Sequence, residues 1–307
     1  MKVGQMVKKL RRWAAKHNTR PFHESQGQGH NLTAQDWAII QSKEPTQLTN
    51  LEISDYAQGA FHEQMMLFGH RFHLQALKFA YDHPGKVFPE QDSNTYDRII
   101  STLTVAIVGQ FCMAAETVGA FCCALEATNA QKTPHDKVHA LNQYLRNYSP
   151  HTNVATELYE LMQKPLSDAA VQHKVRAILN CSDPGNLDKI KKQSCKHLHE
   201  QLGRIGQEHL ELTAFYNAYK HGYRLAEWAG PGMLQGHPGF FYPEKNQTST
   251  WHFHAFKEPD IEYYYEGGRY CAMVHEGFSK GLDEMIVLGP KAGSIIIQDQ
   301  NPWKVRS

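Results

Sequence analysis

Residues 99–125 read IISTLTVAIVGQFCMAAETVGAFCCAL, and this stretch decides the fold. Ile99 to Ala115 carries no charge, and Glu116 is the only charged residue before Glu126. A helix apolar on all sides belongs at the centre of a large bundle or in a membrane. The length suffices to cross a bilayer. Against a span, a carboxylate at Glu116 is costly in lipid, and Ser101, Thr102, Thr104, Gln110 and Thr117 are spread through the run. The flanks also lack basic or aromatic belts on both sides. The run therefore reads as the core helix of a mainly α, bundle-type protein with no stable membrane insertion. Glu116, set among Met113–Ala120, is then at least partly buried and needs a cation or hydrogen-bond donors. The small residues around it let another helix approach closely.

Working outward, this helix starts near Asn94 or Thr95 and runs to about Ala130. Before it, a long helix is predicted from Ser54 to about Asp82, capped by Ser54 or Asp55 and stopped by Pro84-Gly85. After it, Thr133-Pro134 reads as a helix start with Pro at the first helical position. Helical patterns cover 134–147, 153–163 and 167–180, and Asp183-Pro184-Gly185-Asn186 is a turn. A third long helix is predicted from about Leu187 to Trp228, ended by Gly230-Pro231-Gly232. Beyond residue 230, Gly and Pro become frequent. There Thr250–Phe256 and Ile261–Glu266 have β-type composition, and Lys257-Glu258-Pro259-Asp260 could join them as a hairpin. Tyr270–Leu288 reads as a last helix and Ser294–Gln298 as a short strand. The organisation expected is a basic arm and linker over 1–34, a helical bundle over 35–230, and a small α+β C-terminal appendage over 231–307 packed on the bundle.

Formal net charge is +1 over 307 residues, which gives no global pull toward nucleic acid or membrane. The charge is unevenly placed: Lys2, Lys8, Lys9, Arg11, Arg12, Lys16 and Arg20 all precede the first acid, Glu24. Val3, Val7, Leu10, Trp13 and Ala14 recur at helical spacing among these cations. The arm is either a surface helix docked on the body or a contact for phosphate backbone or a membrane surface. Cys112, Cys122, Cys123, Cys181, Cys195 and Cys271 form no CxxC pair. They read as small core residues in a reducing, cytoplasmic setting rather than as a disulfide framework. No apolar stretch with a cleavage site follows the basic N-terminus, so it does not read as a secretory signal.

On a wheel of about 100° per residue, Leu198, Leu202, Ile205, His209, Leu212, Tyr216, Tyr219 and Tyr223 share one stripe, the expected core face. Asn217, Lys220, His221 and Arg224 fall on a neighbouring arc, and Gly222 leaves room for close backbone approach. Three cationic or potentially cationic groups on one arc repel one another without an anion. The cluster can bind phosphate or carboxylate through Lys220 and Arg224. It can do acid–base work through His221. Or it can be a structural ion-pair network with a buried carboxylate such as Glu116.

The stretch Phe215-Tyr216-Asn217-Ala218-Tyr219-Lys220-His221-Gly222-Tyr223-Arg224 resembles a motif in some proteins of the HEPN superfamily. Cys112–Leu125, with Ala115-Glu116 and Gly119-Ala120-Phe121, is similar to an early bundle helix of such proteins. The likeness spans residues 50–230 in layout and far fewer in recognisable pattern. It implies a helical bundle, a homodimer, and RNA binding or metal-independent ribonuclease activity without a cofactor. It also implies a role in antiphage defence or a toxin–antitoxin system, with a protein partner such as an antitoxin. By this resemblance His221 would be the acid/base, Lys220 and Arg224 would stabilise phosphate charge, and Asn217 and Tyr216 would orient the site, with Glu116 behind them.

The superfamily's catalytic pattern is an Arg followed four to six residues later by His. Arg204-Ile205-Gly206-Gln207-Glu208-His209 has that spacing and offers Arg204 and His209 as an alternative catalytic pair. His209, however, falls on the core stripe, about 140° from Arg204. His221 has no Arg four to six residues before it, a departure from that pattern, and its cationic neighbours are Lys220 and Arg224 instead. The competing expectation is a non-enzymatic helical interaction protein. The chain has 19 histidines, and His62, Glu63, His70 and His73 share an arc that could present metal ligands. His197 and His199 lie near Glu200, and His252 and His254 share one face of a strand, but no HExxH motif is present, and no metal site is assigned.

Overall fold

The computed structural model describes residues 70–133, 136–141, 154–181, 189–220, 226–228, 239–243, 251–255, 258–280 and 303. The described chain is mainly helical: α1 (His70–Asp82), α2 (Pro84–Val87), α3 (Ser93–Asn129), α4 (136–141), α5 (Val154–Met162), α6 (Ala169–Ile178), α7 (Lys189–Glu211), α8 (Thr213–Lys220) and α9 (Glu258–Lys280). Between α8 and α9 lie β1 (Ala226–Trp228), β2 (Gly239–Pro243) and β3 (Trp251–Ala255). These pair antiparallel in the order β1-β2-β3, with Ala226 opposite Phe241 and Phe241 opposite Phe253.

Helix α3 is the axis of the fold. Asp92 caps it, accepting from the Thr95 amide at 2.8 Å and so satisfying one of the orphan donors of the first turn. Leu103, Ile107, Val108, Phe111, Cys112, Ala115, Val118, Phe121, Cys122 and Leu125 are all buried. The stretch Thr95–Asn129 is long and apolar enough to cross a membrane, but 67% of its most apolar window is buried by protein. Helices α1, α5, α6 and α9 pack against it, and α7 packs on α5 and α6. At the α3–α5 crossing, a Cβ on Gly119 would lie 2.7 Å from Ala155 Cβ, so glycine is what permits this approach. The Tyr159 hydroxyl donates to the Ala115 carbonyl at 2.5 Å in the same crossing.

Two sequence expectations are corrected. The hairpin proposed through Lys257–Asp260 does not form, because Ile261–Glu266 is helical within α9. Ile261, Tyr264, Cys271, Val274 and Phe278 recur at helical spacing and are buried, which overrides the β preference of the aromatic run. The helix expected over Leu187–Trp228 breaks at Leu212 and restarts as α8, which is described as far as Lys220, while Ala226–Trp228 is a strand paired with β2. The break is slight: the Leu212 amide still donates to Glu208 O and the Tyr216 amide to Leu212 O, so α8 continues the line of α7. The basic arm, residues 54–69, the 142–147 extension and the strand at Ser294–Gln298 lie outside the described residues.

Candidate functional site

Glu116 projects from the middle of α3 toward α8. The Lys220 ammonium donates to its Oε1 at 2.6 Å and the Tyr216 hydroxyl to its Oε2 at 2.6 Å. The Lys220 ammonium also lies 4.4 Å from the Tyr216 ring centroid, a cation–π distance. One turn of α8 separates the two donors, so both reach one carboxylate from a single helix face. The Glu116 side chain is 19% exposed and that of Lys220 26%, so the pair sits at the edge of the core with one side toward water.

The ground beneath the cluster is tightly packed. Tyr219, half-buried, lies flat against α3 where a Cβ on Gly109 would come within 2.5 Å of its ring. Burial, then the nearby Cys112 thiol, push the Tyr219 phenol up. Cys112, one turn before Glu116, is itself held up by burial first and then by Cys271 and Glu116, so it stays a protonated core thiol. His209 is 3% exposed, its ring 5.4 Å from that of Tyr159 and 5.8 Å from that of Tyr216. Burial lowers it to about 4, with Lys220 opposing the proton and Glu116 favouring it. His209 is therefore a neutral core ring near neutral pH.

Of the site residues expected from sequence, the structure brings Glu116, Tyr216 and Lys220 together. Asn217 is exposed on the same short helix. His221 and Arg224 lie outside the described residues. Arg204 and His209 are not brought to one site: the Arg204 guanidinium donates to the Trp303 carbonyl at 3.1 Å, while His209 sits in its ring cage on another arc of α7.

Sequence reasoning passed over Trp303, which is 1% exposed and packs its ring against Phe111, Tyr263 and Tyr270. Glu208, which its spacing offers as an i+4 ion-pair partner of Arg204, is instead a buried carboxylate that accepts from the Tyr263 hydroxyl at 2.6 Å. Neither contact has a local signal, since each partner comes from a distant segment.

His70, one of the candidate metal ligands, is engaged with α3. The Gln110 amide donates to Nδ1 at 2.5 Å, which places the ring proton on Nε2, 3.1 Å from Thr117 Oγ1. The Thr117 hydroxyl in turn donates to the Met113 carbonyl at 2.9 Å. Burial, then His73, lower His70 to about 4. Among the described residues no group of three His, Cys, Asp or Glu side chains is placed to share a metal ion. His62 and Glu63 lie outside the described residues.

The fold and this cluster define a mainly helical protein whose central helix carries a carboxylate bound by a Tyr and a Lys from one neighbouring helix. No family model matches the sequence, no curated protein matches it, and no solved structure matches the fold.

Proposed function

We propose that this chain is a HEPN-like RNA-binding or RNA-cleaving protein, a cytoplasmic homodimer serving antiphage defence or a toxin–antitoxin system. The single observation that carries the reading is the clamp of Tyr216 and Lys220 on Glu116, which fixes the C-terminal end of α8 immediately before His221 in the sequence. The clamp changes the role assigned to Lys220. With its ammonium committed to Glu116, Lys220 positions the end of the helix, and phosphate charge falls to Arg224. His221 remains the acid/base and Asn217 an exposed orienting group. The three strands are the portion that we read as an addition to the bundle, whereas α9 packs on α3 as part of its core.

One observation favours a second reading. Both oxygens of Glu116 are occupied by donors from within the chain, which is what a structural ion-pair network in a non-enzymatic interaction protein requires. One experiment separates the two. Total RNA is incubated in EDTA with the purified protein and with His221→Ala, and bound and cleaved RNA are measured. The ribonuclease reading expects cleavage by the wild type that the variant loses while retaining its melting temperature. Equal cleavage by both removes His221 from the mechanism. Neither binding nor cleavage by the wild type leaves the interaction protein. Cleavage that requires metal restores a metal site.

A further inference from the structure

Lys220 combines an accessible position with a committed charge. The residue is exposed on α8, yet its ammonium lies 2.6 Å from Glu116 Oε1. Both side chains of the pair keep some exposure, so a solute can approach from the water side. The carboxylate gives Lys220 what a phosphate oxygen would give it, an anionic acceptor at charge-assisted hydrogen-bond distance. Glu116 is rooted in the middle of α3 among the buried Cys112, Ala115 and Val118, so its backbone is fixed. Lys220 carries a point charge with three donors on a flexible four-carbon stem. The movable half of the pair is therefore the lysine.

Tyr216 limits the cost of moving it. Its hydroxyl holds Glu116 Oε2 at 2.6 Å, so the carboxylate keeps a donor when the ammonium turns away. Its ring, 4.4 Å from that ammonium, gives the cation a second surface to rest on. Asn217 is exposed on the same helix, one turn before Lys220, and its amide can donate to an anion that Lys220 meets. The groups beneath the pair do not alter its charge balance: His209 is neutral near neutral pH and Cys112 is a protonated thiol.

We propose that Glu116 is an internal competitor for Lys220, which withholds the lysine from a phosphate group until that group displaces the carboxylate. The inference rests on the reading above in taking the phosphate from RNA, and it adds that the site restrains itself. Binding breaks the Glu116–Lys220 contact, and that loss is subtracted from the affinity for any phosphate that docks there. An isolated phosphate has nothing else to offset it. A ligand carrying several phosphates offsets it with contacts elsewhere, so the clamp discriminates a polyanion from a free phosphate.

The test uses the full chain at low salt with two probes, a fluorescein-labelled single-stranded RNA followed by anisotropy and inorganic tripolyphosphate followed by calorimetry. Glu116→Gln is expected to bind each probe at least about tenfold more tightly than the wild type, the factor set by one charge-assisted hydrogen bond. Lys220→Met alone should change affinity little, because the clamp and the contact it opposes disappear together. Combined with Glu116→Gln it should abolish the gain. For RNA the gain should come with a steeper salt dependence, by about 0.7 in the log–log slope for one added phosphate contact. Unchanged affinity in Glu116→Gln, or a gain that survives Lys220→Met, overturns the proposal. A gain for tripolyphosphate with no RNA bound by any form upholds the competitor and removes the RNA reading. RNA bound equally by all forms does the reverse. Should Glu116→Gln fold poorly, Glu116→Asp, which withdraws the carboxylate by one methylene, should move affinity in the same direction with a smaller gain, and no gain there counts against the proposal.

Discussion

Lys220, the last residue of α8, holds Glu116 in the middle of α3 at 2.6 Å, across 104 residues of chain. The ion pair is a long-range tie between two helices, and its worth is measurable. Removing one partner from a buried pair leaves an uncompensated charge, which costs several kcal/mol when water is excluded. Here both side chains retain some exposure, so solvent screening pulls the figure down. Glu116→Gln is expected to destabilise the fold by about 1–2 kcal/mol in urea titrations, with Lys220→Met close to it. The double variant should lose less than the two singles together, by at least about 0.5 kcal/mol. Strict additivity would mean that the contact carries no coupling.

Glycine replacements on the helices should split by sign. Alanine is preferred over glycine in a helix interior by about 1 kcal/mol. At Gly277 a Cβ meets nothing within 4 Å, so Gly277→Ala should raise the melting temperature. At Gly109 the same Cβ would lie 2.5 Å from the Tyr219 ring. Overpacking of that kind costs about 1–3 kcal/mol, which exceeds the helix gain. Gly109→Ala should therefore lower the melting temperature and disturb α8 with it. A melting temperature that rises in both variants would contradict the packing of Tyr219 on α3.

The central helix was legible because its burial is written in its own residues, a long uncharged run; its Asp92 cap lies two to three residues before the start expected near Asn94 or Thr95. The stripe was legible for the same reason: Leu198, Leu202, Ile205, His209, Leu212 and Tyr216 are buried and Tyr219 is half-buried, while Tyr223 lies outside the described residues. Helix α9 was not. Ile261–Glu266 is rich in tyrosine, and the glycines at 267 and 268 look like the end of a strand. What decides the matter lies elsewhere in the chain, since those glycines make room for Trp303 and Leu74. The local clue was Glu258-Pro259-Asp260, a proline and two acids in the first turn of a helix. In the candidate site, Glu116 could be flagged as needing a cation, and Lys220 as needing an anion. Glu116 was already a candidate anion for the Lys220 cluster; what the structure adds is the pairing itself, with Lys220 and Tyr216 each taking one of its oxygens as α8 lies on α3.

The buried histidines predict a one-sided pH response. Burial lowers His209 and His70 to about 4, the former also opposed by Lys220 and the latter by His73. Burial, then His70, lower His275 to about 3. In each case the unfolded chain binds the proton more readily than the folded one. Stability from these groups is complete above about pH 6.5 and is lost as pH falls toward 4. Each contributes a slope of up to about 1.4 kcal/mol per pH unit within that window. His209→Phe keeps an aromatic ring between Tyr159 and Tyr216 but cannot take up the proton. Denaturant titrations at pH 7.5, 6 and 5 should therefore show a shallower acid loss for the variant. Identical slopes would show that His209 is not held neutral by the fold.

Trp303 and Arg204 give the last prediction, and it bears on which arginine can serve chemistry. Trp303 is seated among Phe111, Tyr263 and Tyr270, with its carbonyl held by Arg204 from α7. Emptying such a site costs about 3–5 kcal/mol, so Trp303→Ala should be among the most destabilising single changes in the chain. Arg204→Ala removes a charge-assisted hydrogen bond to that carbonyl and should cost about 1–3 kcal/mol. If Arg204 is a structural anchor, temperatures below the melting range should leave any RNA cleavage by Arg204→Ala near the wild-type rate, while Arg224→Ala loses it. If cleavage is lost with Arg204→Ala and kept with Arg224→Ala, the chemistry belongs to α7 and the role assigned to the end of α8 is wrong. The melting curves of the two variants keep the comparison clean, because a loss that merely follows unfolding tracks temperature, whereas loss of a reacting group does not.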